Sequence, residues 1–433
     1  MEAPRIWIIR LPPRPRSKAS RPETELSVRL QKEVDDLFHS ATTKLSLNDL
    51  VGADLKARQL LEQEPRHAGA HCVIGIIAER LGLCDFAEAG FLVALAADPS
   101  SRSALDGLAR VETARMQARP VVAAGERHLL IKSWGAGFWS DVSHVLGAAF
   151  LAELTGRIPV THWGHNSCFR TPGSDAFRRY FKPISYRTIE DLRRLSGADF
   201  FPDKWTSNNL DFEDYAKWEG IGSRLQGIYF LHRSERVAVS DFYIHLKYLI
   251  PWIPPSHPSY GQPTDAVLRR LANQYLIPQD DIRAVVQDFH RRHLRGIPSI
   301  AVHVRGSDKV TECEDLDELN RQYFPVLDRE DPASKIFLLT DDGRWLRAFR
   351  DRYGDRVVAT DCQRAETDQG VHIVGAADRS RLGTEVMVDT YLALTCEKFI
   401  GNGRSNVSAM ISVLKDWGPG QCTLLAPSVL TDP

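Results

Sequence analysis

The chain has 433 residues, with 55 Lys and Arg against 56 Asp and Glu and a formal net charge of −1, so no global excess of charge points to nucleic acid or an anionic membrane, and any anion site must be local. That length supports two or three domains with substantial cores, and no apolar run approaches the roughly twenty residues of a transmembrane helix. Seven cysteines, odd in number, scattered and without a C-x-x-C pair, imply reduced thiols and a cytoplasmic location.

Residues 1–25 are rich in Pro and Arg and read as a disordered tail. Residues 26–118 then turn helical. Ala87, Phe91, Ala94 and Pro99, with Ile74, Gly75 and Ala78 in the helix before them, match the tetratricopeptide pattern, and Ala53, Ala57, Leu60 and Pro65 stand about one 34-residue period earlier. Small residues let paired helices approach, the large apolar one fills the neighbouring groove, and Pro ends the second helix. A further helix over 101–116 would extend this all-α domain. Such arrays carry no chemistry; they present a surface to a peptide partner, or to a second copy of the chain in a homodimer.

Residues 125–296 alternate strand and helix. A strand over 128–131, a turn over 133–139 with Gly135 and Gly137, a helix over 141–154 and a strand over 158–163 make a β-α-β unit whose glycines would let backbone N–H groups approach a ligand at the helix N-terminus. It lacks the third glycine of a dinucleotide fingerprint and the lysine of a P-loop. The spacing of His162, His165 and Cys168 suits no standard zinc site. The stretch 171–295 reads as completing this domain on the acceptor side, with no roles assigned within it.

Residues 297–433 hold the most informative segment. Ile300, Val302 and Val304 mark a strand over 299–304, so Arg305 stands at its C-terminal end, the edge at which parallel sheets bind ligands. Gly306, Ser307, Asp308, Lys309 and Glu312 follow. A forked guanidinium suits a diphosphate, Lys309 adds a second positive charge, and a neighbouring carboxylate can act as general base. A second strand over 335–340 ends in Asp341 and Asp342 and leads into a helix reaching residue 353. A strand over 356–360, a helix over 382–395 with Asp389, and a strand over 398–401 that leads through Ser405 and Asn406 into another helix complete the pattern. Polar groups recur at strand C-termini, the lining expected of a nucleotide-sugar site.

His303 to Glu312 resembles the first motif of the α1,6-fucosyltransferases, the family of bacterial nodulation-factor and animal N-glycan core fucosyltransferases. The turn with Gly135 and Gly137, the segment Trp163 to Phe169, Leu339 to Asp342, and Glu385 to Asn406 resemble further pieces of the family in the same order, over residues 127–417. The resemblance implies an α/β GT-B fold: two Rossmann-like domains, 125–296 on the acceptor side and 297–433 on the donor side. It implies transfer of fucose from GDP-fucose to a sugar hydroxyl with inversion and without a metal or other cofactor. By resemblance, Arg305 holds the β-phosphate, His303 and Asp389 the guanosine, and Ser405 and Asn406 further donor groups, with Gly135, Gly137, Asp341 and Asp342 also on the donor side. Guanine offers adjacent N–H donors that a carboxylate such as Asp389 can accept. The family carries a second arginine where this chain has Gly306, and one more residue between lysine and glutamate, so Glu312 and Asp308 both stand as the base. Asp315-Leu316-Asp317 fits a metal-binding D-x-D only superficially; in its acidic loop it reads as a solvated helix start. Two other readings keep the fold: another GDP-linked sugar as donor, or a helical-repeat adaptor with an inactive transferase domain. The acceptor is a glycan or a protein.

Overall fold

The computed structural model describes residues 25–81, 83–116, 125–170, 175–212, 225–231, 233–307, 309, 313, 315–368 and 379–431. The chain opens with helices α1 (Glu25–Ser46), α2 (Leu50–Gln63), α3 (Ala68–Arg80), α4 (Cys84–Ala97) and α5 (Arg102–Met116). The turns between them are capped: Asp49 accepts from the Gly52 N–H at 2.9 Å, and His67 Nδ1 from the Ala70 N–H at 3.1 Å. Ala53, Ala57, Leu60, Ala87, Phe91 and Ala94 have 0% exposed surface, so the small and large residues singled out by their spacing are the ones in contact. Gly75 lies against the ring of Phe91, and a Cβ there would stand 2.8 Å from it. Any side chain at that point would hold α3 and α4 apart, at a cost of about 1–3 kcal/mol for overpacking. The tail expected over 1–25 lies outside the described residues as far as residue 24.

Among the described residues two wholly parallel sheets follow. The first contains β1 (His128–Lys132), β2 (Ile158–His162), β3 (Phe200–Phe201) and β4 (Val237–Ser240) in the order β2-β1-β4-β3. The second contains β5 (Ser299–Val304), β6 (Lys335–Thr340), β7 (Val357–Val358), β8 (Lys398–Gly401) and β9 (Cys422–Leu424) in the order β7-β6-β5-β8-β9. In both, strand order reverses beside the first strand, between β1 and β4 and between β5 and β8. Those are the topological switch points, where loops leave in opposite directions and open a crevice. This is the α/β, GT-B arrangement of two Rossmann-like units behind a helical region, as the sequence leads one to expect.

Both faces of each sheet are covered, which is why the strands read as apolar runs. In β1, Leu129 and Ile131 point into one apolar cluster and Leu130 into another. In β5, Ala301 faces that first cluster, and Ile300, Val302 and Val304 face a third. The shared cluster runs from the helical array through helix α6 (Phe138–Thr155) to the helices Thr264–Tyr275, Arg379–Ala393 and Asn406–Leu414. Trp139 on α6 donates its indole N–H to Thr390 Oγ1 at 2.8 Å, a buried bond across the two α/β units.

The array is anchored as firmly. Arg233, in the loop before β4, is only 3% exposed and reaches Glu235, Glu88 at 2.6 Å and Asp85 at 3.6 Å, the last two on α4. It also donates to the Asp85 carbonyl at 3.0 Å. Phe86 packs on Phe201, and His71 on Tyr229 and Trp252. The apolar core is therefore continuous between the helical array and the first sheet. Among the described residues no helix is long and apolar enough to cross a membrane.

Candidate active site

Three loops at the C-terminal edge of the second sheet converge. β5 delivers Arg305, which forms an ion pair with Asp341 from the end of β6 and donates to Ser307 Oγ at 3.3 Å. Asp341 also accepts from the Gly306 N–H at 2.9 Å and from the Ser307 hydroxyl. Ser307 has φ +44°, the left-handed region that non-glycine residues rarely adopt. Its N–H is thereby turned onto Asp342 at 3.2 Å. Gly306 cannot carry a side chain here, because a Cβ would stand 2.6 Å from Asp342 Oδ2. A glycine at position 306 is thus dictated by close approach to Asp342.

Asp342 is turned inward. Its side chain is 0% exposed, caps the helix Gly343–Tyr353 through the Arg344 N–H at 2.8 Å, and pairs with the Arg344 guanidinium at 2.7 Å. Burial raises its pKa, but the bonds from Arg344 and Ser307 outweigh burial and hold it below the usual carboxylate range. Of the two aspartates expected on the donor side, Asp341 lines the crevice beside Arg305, and Asp342 is a structural latch beneath it. His303 is likewise internal, at 5% exposure, with Nδ1 2.6 Å from Ser408 Oγ. Burial, then the charge of Arg305, lowers its pKa to about 3, so the ring is neutral. Through its contact with Ser408 it ties β5 to the helix Asn406–Leu414.

On the other side of the switch point, β8 leads into Asn402, Gly403, Arg404 and Ser405. Ser405 occupies the N-cap position of the helix Asn406–Leu414, whose first residue is Asn406. Arg404 reaches across to Asp315 at 2.6 Å, joining the loops that follow β8 and β5. Asp315 is exposed at the start of the helix Leu316–Arg321. Two asparagines that sequence reasoning passed over are buried beneath this edge. Asn320 is fully buried and donates to the Arg305 carbonyl at 2.8 Å, while its Oδ1 has no partner among the described residues; Asn402, 1% exposed, accepts from the Arg404 N–H at 3.0 Å, while its Nδ2 likewise has none among them. An unsatisfied buried amide atom costs about 1–3 kcal/mol. Two such atoms beside a switch point are a signal visible only in three dimensions.

Asp389 lies at the outer end of the same edge, on the helix Arg379–Ala393. It is 8% exposed and accepts from Thr360 Oγ1 at 2.6 Å. Burial pushes its carboxyl up to about 6, and the bond from Thr360 and the charge of Arg364 only partly offset this. The loop after β7 that carries Thr360 returns to the first cluster, since Ala365 donates to the Asp341 carbonyl at 2.8 Å and accepts from the Gly343 N–H at 2.8 Å. Arg305, Asp341, Ser405, Asn406 and Asp389 therefore share one rim. Lys309 follows on a turn in which its N–H donates to the Gly306 carbonyl at 3.2 Å. Asp308 and Glu312, the rival bases, lie outside the described residues.

The glycine turn belongs to the other sheet. Gly135 has φ +85°, which requires glycine, and Gly137 caps α6 with open space where a Cβ would stand. The N–H groups of Trp134 and Ala136 point to Asp141 Oδ1 at 3.2 and 3.4 Å. Asp141, in the first turn of α6, thus braces the glycine turn, while the N-cap residue Gly137 offers no side-chain cap to the helix. Beside it Lys132 is fully buried in β1, with Nζ on the carbonyls of Leu210 at 2.6 Å and Phe212 at 2.8 Å. Among the described residues no cluster of three or more His, Cys, Asp or Glu side chains could hold a metal ion.

No protein-family profile and no curated relative matches the chain. Solved structures resemble it at low identity. Fucosyltransferase NodZ from Bradyrhizobium is 19% identical over 67% of this chain and 94% of its own, with TM-score 0.47. A variant of Arabidopsis thaliana FUT1 in complex with GDP is 12% identical over 82% of this chain and 80% of its own, with TM-score 0.43. POFUT1 in complex with GDP is 14% identical over 72% of this chain and all (100%) of its own, with TM-score 0.40.

Proposed function

We propose that this chain is an inverting glycosyltransferase that moves L-fucose from GDP-fucose to a hydroxyl of a glycan acceptor. The observation that carries the reading is Arg305 at the β5–β8 switch point, its guanidinium fixed by Asp341, with the buried carboxylate of Asp389 on the same rim. Arg305 has five donors in a rigid fork, so a diphosphate can share the fork with Asp341 or take its place. Asp389 accepts from the paired N–H donors of guanine, which neither adenine nor uracil can reproduce. Lys309 adds charge on the leaving side, so the diphosphate needs no divalent cation.

The acceptor oxygen attacks the anomeric carbon as the bond from that carbon to the β-phosphate oxygen breaks. Its proton passes to Glu312 or Asp308, and GDP leaves with the electron pair. The test is calorimetric titration with GDP, ADP and UDP, followed by release of GDP from GDP-fucose. GDP should bind far more tightly, and at a hundred times its Kd should stabilise the protein by about 2.7 kcal/mol. Equal binding of UDP would overturn the base assignment. Tight GDP binding with turnover of a different GDP-sugar would keep the site and change the sugar.

A further inference from the structure

A cavity of about 250 Å³ opens at the C-terminal edge of the first sheet, between Trp134 beyond β1 and Phe242 to Tyr248 beyond β4, and Glu62 from helix α2 forms part of its wall. This is the other switch point. Trp134 stands edge-on to Phe242 at 6.0 Å and tilted to Tyr243 at 5.5 Å. The Tyr243 hydroxyl lies 3.1 Å from Ser143 Oγ, so what Tyr243 offers the cavity is its ring. Glu62 and Tyr248 both line the cavity, where burial, then the carboxylate of Glu62, pushes the Tyr248 hydroxyl up to about 12. Aromatic rings with negatively polarised faces, a carboxylate that only accepts and the amide of Gln226 define the ligand. It must present C–H faces to the rings and several hydroxyl donors to the polar wall, and a pyranose does both. Lys247, 5.2 Å from the centre of the Tyr248 ring, already supplies that ring with a cation from outside the cavity lining, so the ring's part within the cavity is to stack against C–H faces. The volume lies below the roughly 300–1,000 Å³ of a drug-sized ligand site, which suits one sugar ring.

The cavity wall is strapped to the donor side. His245 Nε2 lies 2.9 Å from the Val429 carbonyl, and the Val429 N–H donates to the Gly403 carbonyl at 3.0 Å, next to Arg404 and Ser405. We propose that this cavity is the seat of a neutral saccharide, the acceptor's terminal ring, and that the helical array completes it through Glu62. The word acceptor rests on the transferase reading; saccharide binding does not, and is tested without turnover.

The experiment screens the full-length protein against an array of neutral, acidic and amino-sugar glycans, then titrates the best ligand into wild type, Glu62→Gln and Tyr248→Ala. Glu62 is exposed and its substitution leaves the core intact, so a folding failure of Tyr248→Ala does not remove the test. A neutral glycan should bind, about tenfold more weakly to each variant, with GDP affinity unchanged. An array with no bound glycan, a preference for amino sugars, or full binding by Glu62→Gln would overturn the proposal. Glycan binding that survives in a protein unable to bind GDP would sink the donor reading and leave this one standing.

Discussion

Replacing Asp389 by Asn separates what the carboxylate costs the fold from what it gives the ligand. In the native chain the group titrates near 6, against 3.8 for an ordinary aspartate, because burial disfavours its charged form. Below 3.8 it is protonated whether folded or unfolded. As pH rises from 3.8 to 6 only the unfolded chain ionises, the native state holds the extra proton, and stability falls. Above 6 the penalty is complete; at about 1.36 kcal/mol for each pH unit it is about 3 kcal/mol. Asn keeps the bond from Thr360 and carries no charge, so the variant should be more stable than wild type at pH 8 and equal to it at pH 3.5. With about 2.1 cal/mol/K of unfolding entropy per residue, 433 residues give about 0.9 kcal/mol/K, and the gain at pH 8 is about 3 °C in Tm. The same variant should lose GDP, since an amide N–H₂ faces the guanine donors, and wild-type GDP affinity should weaken as pH falls below 6. Calorimetric scans at both pH values with GDP titrations measure all three. A variant no more stable at pH 8 that binds GDP normally would refute both the burial argument and the base-reading role.

Arg305→Lys keeps the charge and loses the fork, and should cost about 3–4 kcal/mol of transition-state stabilisation in single-turnover assays; normal turnover would remove the phosphate clamp. Glu312→Gln should leave GDP binding intact and slow transfer by about a hundredfold, with Asp308→Asn as the matched control that exchanges the roles if Glu312→Gln is fully active. Gly306→Ala drives a methyl group onto Asp342 and should destabilise the protein by about 1–3 kcal/mol with loss of GDP affinity, read by urea unfolding and calorimetry. Arg233→Met strands the carboxylates of Asp85, Glu88 and Glu235 in a buried junction and should cost about 3–5 kcal/mol, seen as a lowered unfolding midpoint.

What the sequence reveals here follows from how far apart the interacting groups lie in the chain. β5, β6 and β8 are legible because strands covered on both faces must be apolar at nearly every position, and the polar residues that end them are local neighbours. The helices α2 to α4 are legible because the small and large apolar residues that pack between them, Ala53, Ala57, Ala87, Phe91 and Ala94, recur at helical spacing. The anchoring of Arg233 to α4 is illegible, since 148 residues separate it from Asp85 and nothing periodic marks either partner. The bracing of the glycine turn by Asp141 is illegible, since an acidic residue in the first turn of α6 reads equally well as a partner of that helix's own N-terminus. Residues 171–295 resisted reading because their early helices are short, Phe177–Tyr180 and Ile189–Arg193, and a helix of one turn leaves no periodicity to detect.

The junction between the array and the first sheet bears on what the array is for. An adaptor that recruits partners needs only a tether, and a flexible linker between separate cores would serve. Here the contact is made of groups that are expensive to bury: Arg233 with its carboxylates, and His71, whose pKa burial lowers to about 4 and which lies neutral against Tyr229 and Trp252. Arg66 adds a bond to the Pro251 carbonyl at 3.4 Å and stands over the Trp252 ring at 5.1 Å. Buried charges add little net stability over apolar packing, and their geometry fixes one orientation against others. An orientation fixed in that way matters when a side chain on the array must reach a particular point on the sheet edge. Glu62, on α2 between Arg58 and Arg66, is carried to the mouth of the β1–β4 switch point by this junction, so the array acts as a wall of the crevice.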